Sequence, residues 1–345
     1  MSATPPTASR LHGIQVLRAI AALLVVLYHA MKEVAGALHG FPTDAGRFGV
    51  DIFFVISAFV MIVTTQSGTQ SPPRFLWRRF ARIAPLYWIT TFLAAALLLI
   101  DPALLQFTGL TLASFLKSLA FIPHDNPGNL GVATPTYLIG WTLNFEMYFY
   151  LTLTVAMAIS HQRRAEIAGA IVVGCVILRN LGVSDSTVLD FIGSEIALEF
   201  VFGMVMAHLW LQNRLPLFPT PVALGALPLA IALPFGIEWL GLEINLFLVY
   251  APAALLTVWA TLSLEPVMQK KGWRGMMTLG DASYSLYLVH IFVLIAIVPL
   301  WTSFVSPSAS LTSALAFIIV ALVASVVAAF ATHAWVERPL MRVLR

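Results

Sequence analysis

The stretch from Ile14 to Ala30, IQVLRAIAALLVVLYHA, decides how this chain folds. It is apolar enough to enter a membrane, yet it carries Arg18 near its start and His29 near its end. A charged residue at the centre of a bilayer costs about 2.5–3.5 kcal/mol, so ionisable residues in such a segment indicate a functional site. Eleven residues of α-helix make about three turns, which predicts that Arg18 and His29 share one helix face, about 16 Å apart.

The composition places this stretch in a polytopic membrane protein. Of the 345 residues, 59% are hydrophobic and 10% are charged, whereas soluble domains carry about 25% charged residues. The net charge of +3 comes from short basic clusters between apolar runs, so it indicates membrane orientation and no nucleic-acid partner. The single cysteine, Cys175, excludes an intrachain disulfide.

Because a membrane span needs about 20 mostly apolar residues, the sequence predicts an all-α fold, a transmembrane bundle of about ten helices. The predicted spans are 13–31, 49–66, 83–100, 141–160, 166–181, 195–211, 220–237, 244–263, 279–300 and 311–333. The short stretch 109–122 is interpreted as interfacial or re-entrant. Residues 1–345 are expected to form one membrane domain, with 1–12 as a short cytoplasmic tail.

The orientation follows from the basic residues, which favour the cytoplasmic side of a membrane. If both termini are cytoplasmic and ten spans alternate, most of the 19 lysines and arginines fall inside. The loop 123–135, rich in Pro, Gly and Asn, then faces outward and is placed to cover an outer cavity.

This topology brings three polar residues from different spans to the outer half of the membrane: His29, Asp51 and Glu146. An imidazole beside a carboxylate is the usual arrangement of a general base, because the carboxylate holds the tautomer and stabilises the imidazolium. We therefore predict that His29 is a catalytic base oriented by Asp51 or Glu146. The alternatives are an interfacial role for His29 and a helix-capping role for Asp51.

The segment 74–82, RFLWRRFAR, is predicted to be a cytoplasmic connection, and it holds four arginines. Arg79 and Arg82 share a face if the segment is helical, and guanidinium groups bind phosphate oxygens in pairs. With Arg78 and the deeper Arg18, they predict a site for a phosphate-bearing donor that reaches upward toward the imidazole. The alternatives are a topology signal for the cluster and, for Arg18, a side chain that extends to the inner interface.

Five further residues are predicted to bind substrate. They are Ser57, Trp141, Asn144, Tyr284 and His290. The alternative for Tyr284 is packing, and for His290 a structural hydrogen bond. No metal site is expected.

Six segments carry a resemblance that runs from end to end of the chain. They are LRAIAALLVVLYHA (17–30), FGVDIFFVISAFVM (48–61), RRFARIAPLYW (78–88), GWTLNFEMYFY (140–150), SYSLYLVH (283–290) and WVERP (335–339). In these segments the chain resembles the membrane-bound acyltransferase family 3, which O-acylates cell-surface and exported polysaccharides, and within it the exopolysaccharide acetyltransferase branch. It departs from the family pattern at Ala58, where a glycine is usual, and at Thr142, where a serine is common.

The resemblance implies acyl-CoA, most often acetyl-CoA, as the cytoplasmic donor and a sugar hydroxyl as the acceptor. The acceptor would be a polysaccharide or its lipid-linked precursor, and the location a bacterial inner membrane. It assigns catalysis to His29, donor binding to Arg18, Arg79 and Arg82, and support of the site to Glu146.

Three alternatives stay open. His29 acts either as a base in direct transfer or as a nucleophile that is itself acylated. The chain acts either as a monomer or as a homodimer. On physical grounds alone, a glycan or small-molecule transporter also fits ten spans with charges in the membrane, although no inverted repeat is evident.

Overall fold

The computed structural model describes residues 11–105, 108–270, 272–305 and 310–344. Of the predicted tail 1–12, residues 1–10 lie outside the described residues, and the first helix begins at His12. Most described residues are helical. This agrees with the predicted fold class.

The described part of the chain contains fifteen α-helices and one antiparallel β-hairpin. The helices are α1 His12–Glu33, α2 Gly49–Thr64, α3 Pro72–Ile100, α4 Leu112–Leu119, α5 Trp141–Ile159, α6 Arg164–Asn180, α7 Thr187–Ile192, α8 Leu198–Leu211, α9 Thr220–Trp239, α10 Leu246–Ser263, α11 Glu265–Lys270, α12 Arg274–Asp281, α13 Ser283–Phe304, α14 Leu311–Thr332 and α15 Arg338–Val343. The hairpin strands are β1 Asp125–Asn126 and β2 Asn129–Ala133.

Seven of the described helical segments are long and apolar enough to cross a membrane. They are His12–Glu33, Ala45–Thr64, Pro72–Ile100, Thr220–Trp239, Leu246–Ser263, Ser283–Phe304 and Leu311–Val343. The protein is therefore a membrane protein built mainly from helices.

The other three predicted spans coincide with α5, α6 and α8. α6 has 17 residues and α8 has 14, so they extend about 26 and 21 Å, whereas the hydrocarbon core of a bilayer is about 30 Å thick. α5 has 19 residues but includes the polar Asn144 and Glu146. The predicted count of about ten spans is thus not confirmed by length and hydropathy.

The arginine-rich segment 74–82 is helical and belongs to the same helix as the span predicted to begin at 83; its prediction as a cytoplasmic connection stays a prediction. α3 runs without interruption from Pro72 to Ile100. Proline is favoured in the first helical turn because its fixed φ suits the helix and its missing N–H needs no partner there. The pair Pro72 and Pro73 therefore starts α3 well before the predicted span at 83.

The described chain divides into two compact units. The first unit takes in the chain up to Thr64 together with Met206–Trp335, and the second takes in Thr65–Val205 and the chain from Val336 onward. In the first unit α1 packs against α2, α10, α12, α13 and α14, and in the second α5 packs against α3 and α6.

Two buried clusters lie along α1, each with residues from α13 and α14. Ala22, Leu286 and Ala329 belong to the first cluster, and Met31, Leu294 and Phe317 belong to the second. From the first cluster to the second, residue numbers rise along α1 and along α13, whereas they fall along α14. α13 therefore runs parallel to α1, and α14 runs antiparallel to both.

Carboxylates from distant parts of the chain cap two helix starts in the first unit. Glu265 accepts hydrogen bonds of 2.8 Å from the backbone N–H groups of His12 and Gly13. Glu238 accepts hydrogen bonds from the backbone N–H groups of Asp44 and the next residue, in the turn that leads into α2. The first N–H groups of a helix lack partners within the helix and attract negative charge, so these carboxylates fix the start of α1 and that of the 3-10 turn 45–48, which leads into α2.

Two glycines allow the neighbouring helices to approach α1 closely. A Cβ atom on Gly280 of α12 would collide with the carbonyl oxygen of Gln15, and one on Gly49 of α2 would collide with that of Ala21. A side chain at either position would push the helix away from α1. These glycines thus set the positions from which the polar residues of α1 act.

Candidate active site

His29 of α1 and His290 of α13 meet inside the first unit. Nδ1 of His29 lies 3.1 Å from Nε2 of His290, and the ring centroids are 4.9 Å apart. His290 is fully buried and His29 is half-buried. Within the described residues, no group of three or more His, Cys, Asp and Glu is placed to hold a metal ion.

Each of these histidines also contacts the backbone of its own helix. Nδ1 of His29 lies 3.0 Å from the carbonyl oxygen of Val25, and Nδ1 of His290 lies 3.1 Å from that of Leu286. Both carbonyls belong to the residue four positions earlier, so the two rings lean back along their helices in the same way. The parallel direction of α1 and α13 lets them meet.

The ring of His29 has one further aromatic neighbour. Tyr28 makes an edge-on contact with it, with 4.7 Å between the ring centroids. Asp51 is buried on α2, and the buried Tyr250 of α10 is one of its electrostatic neighbours. The structure brings the imidazole of His290 to the Nδ1 side of His29, and the role predicted for Asp51 beside that ring stays a prediction.

Charged residues surround the end of α1 that follows His29. Lys32 forms an ion pair with Asp44, with 2.7 Å between nitrogen and oxygen, and its ammonium lies 5.8 Å from the centre of the Tyr28 ring. Arg47 lies over the ring of Tyr250, 5.8 Å from its centre. This end of the first unit thus presents charged and aromatic groups close to the imidazole.

The side chain of Arg18, on α1, contacts the first residue of α13, Ser283, which precedes Tyr284. Its guanidinium donates a hydrogen bond of 3.0 Å to Ser283 Oγ and one of 3.3 Å to Gln15 Oε1. The same two helices, α1 and α13, therefore position both Arg18 and His29. The sequence predicted neither Ser283 nor Gln15 as a partner of Arg18.

In the second unit, the arginines of α3 differ in burial. Arg79 and Arg82 are half-buried, whereas Arg74 and Arg78 are exposed. The Arg79 guanidinium lies 5.8 Å from the centre of the Phe75 ring, and its buried Nε has no hydrogen-bond partner among the described residues. Arg79 thus keeps a donor for an anion, and the predicted shared face of Arg79 and Arg82 is confirmed as helical.

Glu146 lies close to these arginines. Tyr150 donates a hydrogen bond of 3.1 Å to its Oε1, and both residues are electrostatic neighbours of Arg79. The ring of Tyr150 packs edge-on against that of Phe75. Glu146 therefore belongs with the α3 arginines of the second unit, and the role predicted for it beside His29 stays a prediction.

Asn144 and Glu146 do not face the same way. They are two residues apart on α5, which places them about 200° apart around the helix. Asn144 is 2% exposed, and neither polar atom of its amide has a partner among the described residues.

Trp141 packs against Phe145 in an edge-on ring contact, and Ser57 is buried on α2. The five predicted substrate residues therefore lie on three different helices, α2, α5 and α13.

The described site residues fall within one family match, which covers residues 11–333 and is to the acyltransferase domain. The chain belongs to the acyltransferase 3 family. This acyltransferase is 35% identical over 273 residues to the exopolysaccharide production protein ExoZ of Rhizobium meliloti (strain 1021), over 78% of this chain and 81% of that protein.

Two further relatives of this acyltransferase are more distant. The acyltransferase MdmB of Streptomyces mycarofaciens is 29% identical over 99% of this chain and 94% of its own length. Nodulation protein 10 of Rhizobium leguminosarum bv. viciae is 28% identical over 48% of this chain and 49% of its own. No solved structure matches the chain.

Proposed function

We propose that this acyltransferase moves an acetyl or similar acyl group from cytoplasmic acyl-CoA to a hydroxyl of an exported polysaccharide or of its lipid-linked precursor. The observation that carries the proposal is the pair of His29 and His290 on the same helices that hold Arg18. The similarity to a protein named for exopolysaccharide production supports the acceptor class. The proposed location is the inner membrane of a bacterium.

The arginines of α3 would bind the phosphate groups of the donor. Arg79 fits this role because its guanidinium is half-buried and its Nε lacks a protein partner among the described residues. Arg82 shares its face and burial, and the exposed Arg78 adds charge at the surface. Arginine suits phosphate because its planar fork donates two parallel hydrogen bonds. Arg18 would orient the acyl end of the donor.

His29 would carry the proton. Its Nε2 takes the proton of the acceptor hydroxyl while that oxygen forms a bond to the carbonyl carbon of the thioester. The carbon–sulfur bond then breaks, and His29 returns the proton to the departing sulfur. The products are an ester and a thiol, so atoms and charge balance. If His29 is acylated first, the same Nε2 is the attacking atom.

The direction of the helices supports ten spans. Four of the seven apolar segments lie between α1 and α13, so if only these cross the membrane, α1 and α13 run in opposite directions. The contacts described above require parallel helices. If α5, α6 and α8 also cross, seven spans intervene and α13 is parallel to α1. We therefore retain about ten spans with both termini in the cytoplasm, and a single domain over residues 1–345 that includes both units.

The test uses the purified protein in lipid nanodiscs with radiolabelled acetyl-CoA and a non-acetylated exopolysaccharide or its repeat unit. We expect release of CoA that depends on the glycan, and label in the glycan that mild alkali removes. Movement of glycan across a vesicle membrane without any need for acyl-CoA would contradict the proposal and indicate a transporter. Light scattering of the same sample determines whether the active particle is a homodimer.

A further inference from the structure

The contacts of His29 and His290 determine which ring nitrogens carry protons. A carbonyl oxygen only accepts hydrogen bonds. Nδ1 of His29 lies 3.0 Å from the carbonyl of Val25, and Nδ1 of His290 lies 3.1 Å from that of Leu286. Both Nδ1 atoms must therefore carry a proton, since a lone pair in either place would face the lone pairs of an oxygen.

This arrangement also sets the contact between the two rings. A neutral imidazole carries one N–H and one lone pair, so Nε2 of His290 is an acceptor when its Nδ1 is protonated. The N–H at Nδ1 of His29 is then shared between the Val25 carbonyl and Nε2 of His290, which is 3.1 Å away. The remaining nitrogen of His29, Nε2, keeps its lone pair.

We infer that His290 is a positioning residue that holds His29 in the tautomer needed for catalysis. The inference rests on the proposed role of His29 as the group that takes the acceptor proton. His290 takes the role that the sequence predicted for a carboxylate: it accepts a hydrogen bond from Nδ1–H of His29, leaves Nε2 of His29 basic and stabilises the imidazolium that forms during transfer.

A direct contact of His290 with substrate does not fit its surroundings. The residue is 0% exposed, and both of its ring nitrogens are already engaged, one by the Leu286 carbonyl and one by His29. Tyr287, one turn earlier on α13, lies against the ring with 6.0 Å between centroids. His290 therefore acts on the reaction through His29, which replaces its predicted role in binding substrate.

The kinetic test compares two substitutions of His290 with a matched control. His290→Leu removes the acceptor, and we expect kcat to fall about 10- to 100-fold while KM for glycan and for acyl-CoA changes little. His290→Gln places an amide oxygen the same number of bonds from Cβ as Nε2, so its kcat is expected between those of His290→Leu and the wild type. His39→Leu alters an exposed histidine of the same unit and is expected to leave kcat unchanged.

An unchanged kcat in His290→Leu would overturn the inference, and so would a raised KM for glycan at unchanged kcat, which would indicate substrate binding. A second measurement does not depend on activity or on a variant of His290. In wild-type protein labelled with ¹³C,¹⁵N-histidine, solid-state NMR identifies the protonated ring nitrogen, and the His29 signals are those lost in His29→Gln.

At a pH where the rings are uncharged, we expect the His29 proton on the nitrogen bonded to Cγ, which is Nδ1. A proton on Nε2 would overturn the inference even if the enzyme is active. Conversely, the expected tautomer in a protein without acyl-transfer activity would leave the inference about the tautomer standing and overturn the proposed function alone.

Discussion

The two polar centres of this acyltransferase are organised in opposite ways. In the first unit, the Nδ1 side of His29 is occupied by the Val25 carbonyl and by His290, so the ring is held by the protein itself. In the second unit, Nε of the half-buried Arg79 has no hydrogen-bond partner among the described residues. A centre that handles a proton needs a fixed ring, whereas a centre that binds an anion must keep its donors available. The His29 centre is therefore formed by the protein alone, whereas the Arg79 centre is completed by its ligand.

The largest expected effect follows from removing the imidazole. General-base catalysis contributes about 10²- to 10⁴-fold to rate, so we expect His29→Ala to lose at least about 100-fold in kcat with normal expression and membrane insertion. Adding His290→Leu to this variant is expected to lower kcat no further, because His290 acts through His29. Glycan-dependent CoA release measures both, with His39→Ala as the control. Equal losses from His290→Leu with and without His29 would show that the two residues act separately.

The second test concerns Arg79, whose Nε–H group has no hydrogen-bond partner among the described residues. A hydrogen bond to a charged group contributes about 1.5–3 kcal/mol, so Arg79→Leu is expected to raise the dissociation constant for CoA about 10- to 100-fold. Arg78→Leu is the matched control, because an exposed charge contributes about 0–1 kcal/mol. Equilibrium binding of CoA to the protein in nanodiscs measures both constants.

The same variant sharpens the contrast between the two centres. Without ligand, Arg79→Leu is expected to be no less stable than the wild type, because a buried charge that is incompletely paired costs free energy. Thermal unfolding without CoA tests this. If Arg79→Leu binds CoA as the wild type does, or unfolds at a clearly lower temperature, Arg79 is a structural residue and the contrast fails.

The smallest effect concerns the packing that assembles the histidine pair. Gly280 of α12 lies against the carbonyl of Gln15, just before the α13 residues that contact Arg18 and His29. Overpacking costs about 1–3 kcal/mol, so Gly280→Ala is expected to lower the unfolding temperature and kcat together. Gly275→Ala, on the same helix with no neighbour within 4 Å of its Cβ, should lower neither. Equal behaviour of the two variants would contradict the close packing.

Part of this organisation could be predicted from the sequence. Hydropathy identifies the long apolar helices because burial in lipid demands continuous apolar runs. The spacing of Arg18 and His29 places them on one helix face because the helical repeat is fixed. These features are local, so sequence alone carries them.

The partner of His29 is not a local feature. His290 is 261 residues away along the chain, and it reaches His29 only because α1 and α13 are parallel neighbours. One signal was present: Ser283 and His290 are seven residues apart and share a face of α13, as Arg18 and His29 share a face of α1. The two faces carry matching polar pairs, but the sequence does not show that these helices pack together.

The sequence also carries signals for two other features, the start of α3 and the opposite faces of α5. The helix that contains the predicted span 83–100 begins earlier, and Pro72 and Pro73 mark its start ahead of the four arginines. Asn144 and Glu146 are two residues apart, and this separation places them on nearly opposite sides of any helix. Depth and face have to be considered together.

The acetyl content of the exported polysaccharide tests the central claim most directly. Proton NMR of the polymer gives the number of acetyl groups per sugar repeat from cells that make the wild-type protein, the His29→Ala variant, the His39→Ala control or no such protein. The account predicts full acetylation with the wild type and the control, and with His29→Ala the same low level as without the protein. Wild-type acetylation in cells that make His29→Ala would contradict it.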